Sequence, residues 1–161
     1  MIVVSDTSPV NYLLAIGQIE LLPRLFGQII LPAAVVAELQ TPDAPEMNRR
    51  WLANLPAGFE VRAAARVDES LDLDAGEREA ISLAEELHAA AILIDEKKGR
   101  AIARQRGLRV VGTLGVLEKA ASLRLLDLEA ALLALRQTTF FGSEELIQAT
   151  LARARKTTGE Q

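Results

Sequence analysis

With 161 residues, half of them hydrophobic and a quarter charged, the chain can fill one globular domain with a core and is too apolar to be disordered. It has no cysteine, which excludes disulfide scaffolds, zinc–thiolate sites and thiol nucleophiles, and aromatics at 4% leave the core to Leu, Ile, Val and Ala. A net charge of −4 argues against coating duplex nucleic acid by charge alone and suits a site that gathers divalent cations. The opening MIVVSDTSP has no charged, long-apolar leader pattern, and no apolar run reaches ~18 residues. A cytoplasmic protein without a membrane segment is therefore expected.

Residues 2–5 read as a short, buried, β-branched strand. Pro9 suits the first turn of a helix to about Ile16, which Gly17 breaks. A second short helix covers 19–26 and stops at Gly27. A strand over 28–31 follows, then a helix opened by Pro32 to about Gln40, then a loop over 41–45. Pro45 starts a helical piece that carries Arg49, Arg50 and Trp51 and ends near Pro56, and 59–62 suits a strand. Asp74 is placed to cap a long helix over 75–88. Beyond it come a strand at 91–94, a helix at 97–106, a strand at 108–111 and a helix from Thr113 to about Leu123. Two closing helices over 127–136 and 143–155 precede a tail expected to fray after about 156. Strands and helices alternate, which predicts one α/β domain over 1–161 with a mainly parallel sheet. In such sheets the ligand crevice lies outside the carboxyl ends of the strands.

Acids sit where that rule points. Asp6 follows the first strand directly, and Asp95 follows the 91–94 strand with Glu96 beside it. Glu77 heads a stripe of Ala80, Ile81 and Ala84 at helical spacing, so it faces the core, whereas Glu79 and Glu86 fall on the outer face. Glu38 stands in the apolar run AAVVAEL, close to a buried face. A buried carboxylate without a partner is costly, and a cation removes that cost. Plainer roles remain open to each acid: a turn or cap for Asp6 and Asp95, a capping box Asp74–Glu77, and a helix-end surface position for Glu38.

The lone histidine, His88, falls late in its helix and reads as structural or capping. The sequence has no Ser–His–acid pattern, P-loop or G-x-G-x-x-G. Metal-activated water is the nucleophile left, and hard oxygen ligands select Mg²⁺ or Mn²⁺. Residues 97–109 carry Lys97, Lys98, Arg100, Arg104, Arg106 and Arg109 with no acid among them. A basic wall beside an acidic pocket is the arrangement phosphodiester cleavage requires, although a solvated helix face has the same pattern. Arg49, Arg50 and Trp51 could add phosphate and base contacts, with Trp51 better placed as a core anchor.

The segments VSDTSPVNYLLAIG, ILPAAVVAEL, DAGEREAISLAEE, AILIDEKKGRAIARQRGLRVVGTLGVLEKA and FFGSEELIQATLARA, in this order, resemble a bacterial and archaeal branch of the PIN-domain family. Many members of that branch are VapC-like toxins of toxin–antitoxin pairs. The resemblance implies a PIN-like α/β/α sandwich around a parallel sheet and a Mg²⁺ or Mn²⁺ site. By motif position it implies Asp6, Glu38, Glu77 and Asp95 as the catalytic acids and metal ligands. Many PIN sequences place the last acid one or two residues further on, which leaves Asp95 and Glu96 as alternatives. The resemblance also implies a small antitoxin protein as partner and a homodimer. The expected reaction is hydrolysis of RNA, with one or two ions held by the acids; two would stand ~4 Å apart. Thr7 or Ser8 would steady Asp6 or the phosphate, and Lys97, Lys98, Arg100 and Arg104 would bind the substrate. The residues alone do not separate RNA from single-stranded DNA. Two rivals remain: a phosphatase using Asp6 as covalent nucleophile, though Ser8 stands where that scheme places a second acid, and a non-catalytic nucleic-acid- or protein-binding module.

Overall fold

A computed structural model of the chain describes residues 1–140 and 144–159, with side chains to 156. Strands β1 (Ile2–Ser5), β2 (Gln28–Pro32), β3 (Phe59–Arg62), β4 (Ala91–Leu93) and β5 (Val110–Val111) form a sheet in the order β3-β2-β1-β4-β5. All four pairings are parallel; Val4 sits between Ile30 and Ile92 across the centre.

Side chains alternate between the faces with the strand period of two. Val3, Ile29, Leu31 and Leu93 join one core. On that side lie α1 (Thr7–Ala15), α2 (Leu21–Phe26), α7 (Thr113–Ser122), α8 (Leu128–Arg136) and α9 (Glu144–Gly159). Val4, Ile30, Ile92 and Ile94 join a second core under α5 (Ala75–Glu86) and α6 (Lys97–Gln105). Helix α3 (Ala33–Leu39) inserts Val35 and Leu39 into the first core and packs along α5, while α4 (Glu46–Ala53) rests Trp51 and Leu52 on the rim. Continuous apolar strands are what a sheet covered on both faces requires. The result is the expected three-layer α/β/α arrangement.

Several boundaries move. Strand β5 is half its expected length because Gly107 takes a left-handed turn (φ 78°) and the Leu108 N–H closes the end of α6 on the Ala103 carbonyl. Helix α5 stops at Glu86, and His88 sits just beyond it at φ 50°. Helix α9 continues to Gly159, past the expected fraying point, and its expected start, Ser143, lies outside the described residues. Among the described residues no helix is long and apolar enough to cross a membrane.

The chain runs from β1 outward to β2 and β3, then returns to place β4 on the other flank of β1. The connections after β1 and β4 therefore diverge, opening a crevice at their carboxyl ends. Asp6 is the first residue beyond β1, and Asp95 and Glu96 follow β4 after Ile94, because the strand stops at Leu93, one residue short of the expected 91–94.

Candidate active site

Asp6 extends the β1–β4 pairing by one bond, its N–H donating to the Leu93 carbonyl at 2.8 Å. It has the extended backbone of a helix cap, yet its side chain makes no capping bond. The carboxylate is only 4% exposed, and Oδ1 is buried without a hydrogen-bond partner. Burial pushes its pKa up to about 7; the Thr7 backbone N–H opposes this, and the charges of Asp74, Glu38 and Glu96 add to it.

Glu77 reaches the same crevice from the first turn of α5, where its N–H is capped by Asp74 Oδ1 at 2.8 Å. It too is 4% exposed, with Oε2 buried and partnerless. Burial, a hydrogen bond to Asp74 and the charges of Asp74, Asp6 and Glu96 raise its pKa to about 8. Asp74 thus supplies the cap, while the Glu77 side chain makes no reciprocal bond to the Asp74 N–H and stays turned inward. Gly99 of α6 makes room for this carboxylate: a Cβ there would run into Glu77 Oε2 and meet Ile94 Cδ1 at 2.6 Å.

Glu38 is half-buried and ties three elements together. Its Oε2 accepts from the Thr7 hydroxyl at 2.5 Å and its Oε1 from the Gly76 N–H at 3.0 Å. A Cβ on Gly76 would stand 2.6 Å from Oε1, so glycine is what permits this approach.

The two acids after β4 part company. Asp95 accepts from Thr113 twice, from the N–H at Oδ1 and from the hydroxyl at Oδ2, both at 2.7 Å. Burial raises its pKa, and the two Thr113 bonds and the Arg100 charge oppose that. Asp95 therefore holds the start of α7, whereas the charge of Glu96 is felt at both Asp6 and Glu77. Asp74, read from sequence only as a cap, also acts on both; the D-x-x-E spacing that signals a capping box was the clue that two acids share one helix start.

Glu79 corrects the expectation of an outward position. It is 7% exposed, and its carboxylate accepts from the N–H groups of Ala34 at 2.7 Å and Ala64 at 3.2 Å. Helix α5 is covered by α3 and the 64–68 segment as well as by the sheet, so the single-stripe argument underestimates its buried surface.

The basic segment is also divided by the fold. Lys97 and Arg100 line a cleft with Ser8, Tyr12, Asp95 and Glu96. Lys98 pairs with Asp72 at 2.6 Å, and Arg106 is held by Asp68 and Glu85 on a separate surface. Arg104 is exposed on α6, close enough to Arg100 for its charge to lower that guanidinium's pKa after the larger effect of burial. Thr7 is occupied with Glu38. Arg49 bonds the Thr41 carbonyl, Arg50 pairs with Glu46, and Trp51 packs edge-to-face on Phe59.

Among the described residues no three Asp, Glu or His side chains stand in ready-made ligating geometry. The crevice offers instead two buried carboxylate oxygens without partners, on Asp6 and Glu77, in a cluster with Asp74, Glu38 and Glu96. Those are hard oxygen donors whose mutual repulsion a divalent cation would offset, so the residues fit such an ion.

No curated protein matches the chain. Among solved structures it is similar to a PilT N-terminus domain protein of the hyperthermophilic archaeon Sulfolobus solfataricus P2, with a TM-score of 0.56 and 21% identity over 79% of this chain and 98% of that one. At that identity the likeness concerns the fold. A family model described as a PIN domain matches residues 2–156. PIN domains are generally metal-dependent nucleases, and they typically use divalent ions. A parallel sheet with acids gathered beyond β1 and β4, matched to that model over almost its whole length, makes this chain a member of the PIN-domain family.

Proposed function

We propose that the protein is a Mg²⁺- or Mn²⁺-dependent endoribonuclease. The observation that carries this reading is the pair of buried, partnerless oxygens on Asp6, directly beyond β1, and on Glu77, in the first turn of α5. These two side chains would hold a divalent cation, with Glu96 and Asp74 contributing charge at its edge. Such a cation supplies Lewis acidity toward a phosphoryl oxygen and a water of lowered pKa. Glu38, held by Thr7 and Gly76, fixes the start of α1 against the start of α5 and so sets the spacing of Asp6 from Glu77. Asp95 positions the start of α7 through Thr113. Lys97 and Arg100, on the adjoining cleft wall, are placed to bind phosphates flanking the cut. Burial and the neighbouring acids push the Glu77 carboxyl up to about 8, so a cation bound there would have to compete with a proton.

RNA as substrate, a toxin role, a small antitoxin partner, a homodimer and a cytoplasmic setting belong to the same proposal and are supported by the family resemblance. The test is an incubation of purified protein with structured RNA and single-stranded DNA in Mg²⁺, Mn²⁺ or EDTA, beside Asp6→Asn and Glu77→Gln. Metal-dependent cutting of RNA, lost in EDTA and in both variants, is expected. Cutting that survives either treatment refutes the mechanism, and a trapped phospho-aspartate at Asp6 would establish the phosphatase reading in its place.

A further inference from the structure

The cleft beside the acids extends well beyond them. A cavity of about 790 Å³ is walled by residues of α1, the ends of β4 and β5, α6, α7 and α9. That is within the ~300–1,000 Å³ typical of small-ligand sites. Glu96 and Ser8 are on its rim, and Glu96 is the residue whose charge reaches Asp6 and Glu77, so cavity and acid cluster adjoin.

Two chemistries meet in its walls. Tyr12 and Phe140 lie edge to face with centroids 5.2 Å apart and planes at 84°, and the Tyr12 hydroxyl donates to the Thr139 carbonyl at 3.2 Å, which fixes its ring. Val110 and Leu114 continue the apolar surface. Lys97 and Arg100 supply positive charge. Arg100 donates Nη1 to the Ile94 carbonyl at 2.9 Å, in space that a Cβ at Gly112 would take, 2.6 Å from that nitrogen. The cavity's own acids are largely answered: Asp95 by Thr113, and Glu118 by a two-pronged contact from Arg153 at 2.8 and 3.1 Å. An aromatic and aliphatic slot flanked by cations, one wall away from a candidate hydrolytic centre, has the composition that binds an unstacked base and its phosphate.

We propose that this cavity takes one nucleobase of a single-stranded RNA, next to the scissile phosphate, against the Tyr12 and Phe140 rings, with Lys97 and Arg100 on the adjoining phosphates. A paired base cannot enter without leaving its stack, so the site selects single strands over stems. The identity of the substrate rests on the nuclease reading; the cavity's preference for a base does not.

The test has two arms. In the first, the ¹⁵N-labelled full chain in EDTA is titrated with 5′-AMP, 5′-UMP and ribose 5-phosphate. Both nucleotides are expected to shift the amides of Tyr12, Val110 and Leu114, ribose 5-phosphate is not, and Leu114→Arg is expected to abolish the shifts while keeping a folded spectrum. Equal shifts from ribose 5-phosphate, or none from any probe, overturn the proposal; the second result is what a peptide as the true occupant would give. In the second arm, Tyr12→Ala is compared with wild type on a short unstructured RNA. A rise in KM of about tenfold with kcat nearly unchanged is expected, and a hairpin stem stays uncut. A KM unchanged in Tyr12→Ala, where the wild type cuts RNA, overturns the base site alone. Nucleotide binding by a protein that cuts no RNA overturns the nuclease reading and supports the base site.

Discussion

Replacing Asp6 by Asn should stabilise the metal-free protein, and more so as the pH rises. Asp6 releases its proton near the ordinary 3.8 when unfolded but only at about 7 when buried in the native crevice. Between those values the native state binds more protons than the unfolded one, so stability falls as pH rises through the window and is level above it. At ~1.36 kcal/mol per pH unit the full gap corresponds to about 4 kcal/mol at pH 8, against about 1.5 kcal/mol at pH 5. Asn fills the same space without a charge and escapes this term. Its stability advantage over wild type should therefore grow by about 2.5 kcal/mol between pH 5 and pH 8. Urea unfolding of both proteins in EDTA at the two pH values measures it. An advantage that is the same at pH 5 and pH 8 refutes the claim that Asp6 ionises against its surroundings.

Three further substitutions probe the supports of the site. Gly76→Ala drives a methyl group into the Glu38 carboxylate, which must swing off its bonds to Thr7 and the Gly76 N–H; it should cost about 1 kcal/mol in thermal or urea unfolding and weaken Mn²⁺ binding by loosening the tie between α1 and α5. Thr113→Val removes the hydroxyl bond to Asp95 and should cost about 1–3 kcal/mol, yet, on the proposal that Asp6 and Glu77 hold the metal, leave Mn²⁺ affinity unchanged in calorimetry. Ile81→Ala, fully buried under the sheet, should cost about 2–5 kcal/mol and leave the affinity of the folded fraction for Mn²⁺ intact.

The sheet is readable because its strands carry a strong local signal: IVVS, QIILP and AIL are short, largely apolar runs, as buried parallel strands must be. Placing Asp6 and the 95–96 acids at strand carboxyl ends followed from that alone. Glu77 was legible because a helical stripe has a direction that can be counted. Glu79 was not, since a second buried face on α5 comes from α3 and the 64–68 segment, which are distant in sequence. The bond that ties Asp95 to Thr113 spans 18 residues, and no spacing rule reports it. The roles of Gly76 and Gly99 were equally hidden, because a glycine's use as clearance appears only once the neighbouring carboxylate is in place. The basic run kept its local composition but not its unity: partners at Asp68, Asp72 and Glu85 draw Lys98 and Arg106 off the cleft.

Calorimetric titration of Mn²⁺ into the protein at pH 7.5, in two buffers of different ionisation enthalpy, addresses the partnerless oxygens of Asp6 and Glu77 directly. Binding should release about one proton, chiefly from Glu77, and should be abolished by Asp6→Asn or by Glu77→Gln but not by Asp95→Asn. Binding without proton release, or binding that survives both the Asp6 and the Glu77 substitutions, would contradict the assignment of these two carboxylates as the metal-holding centre.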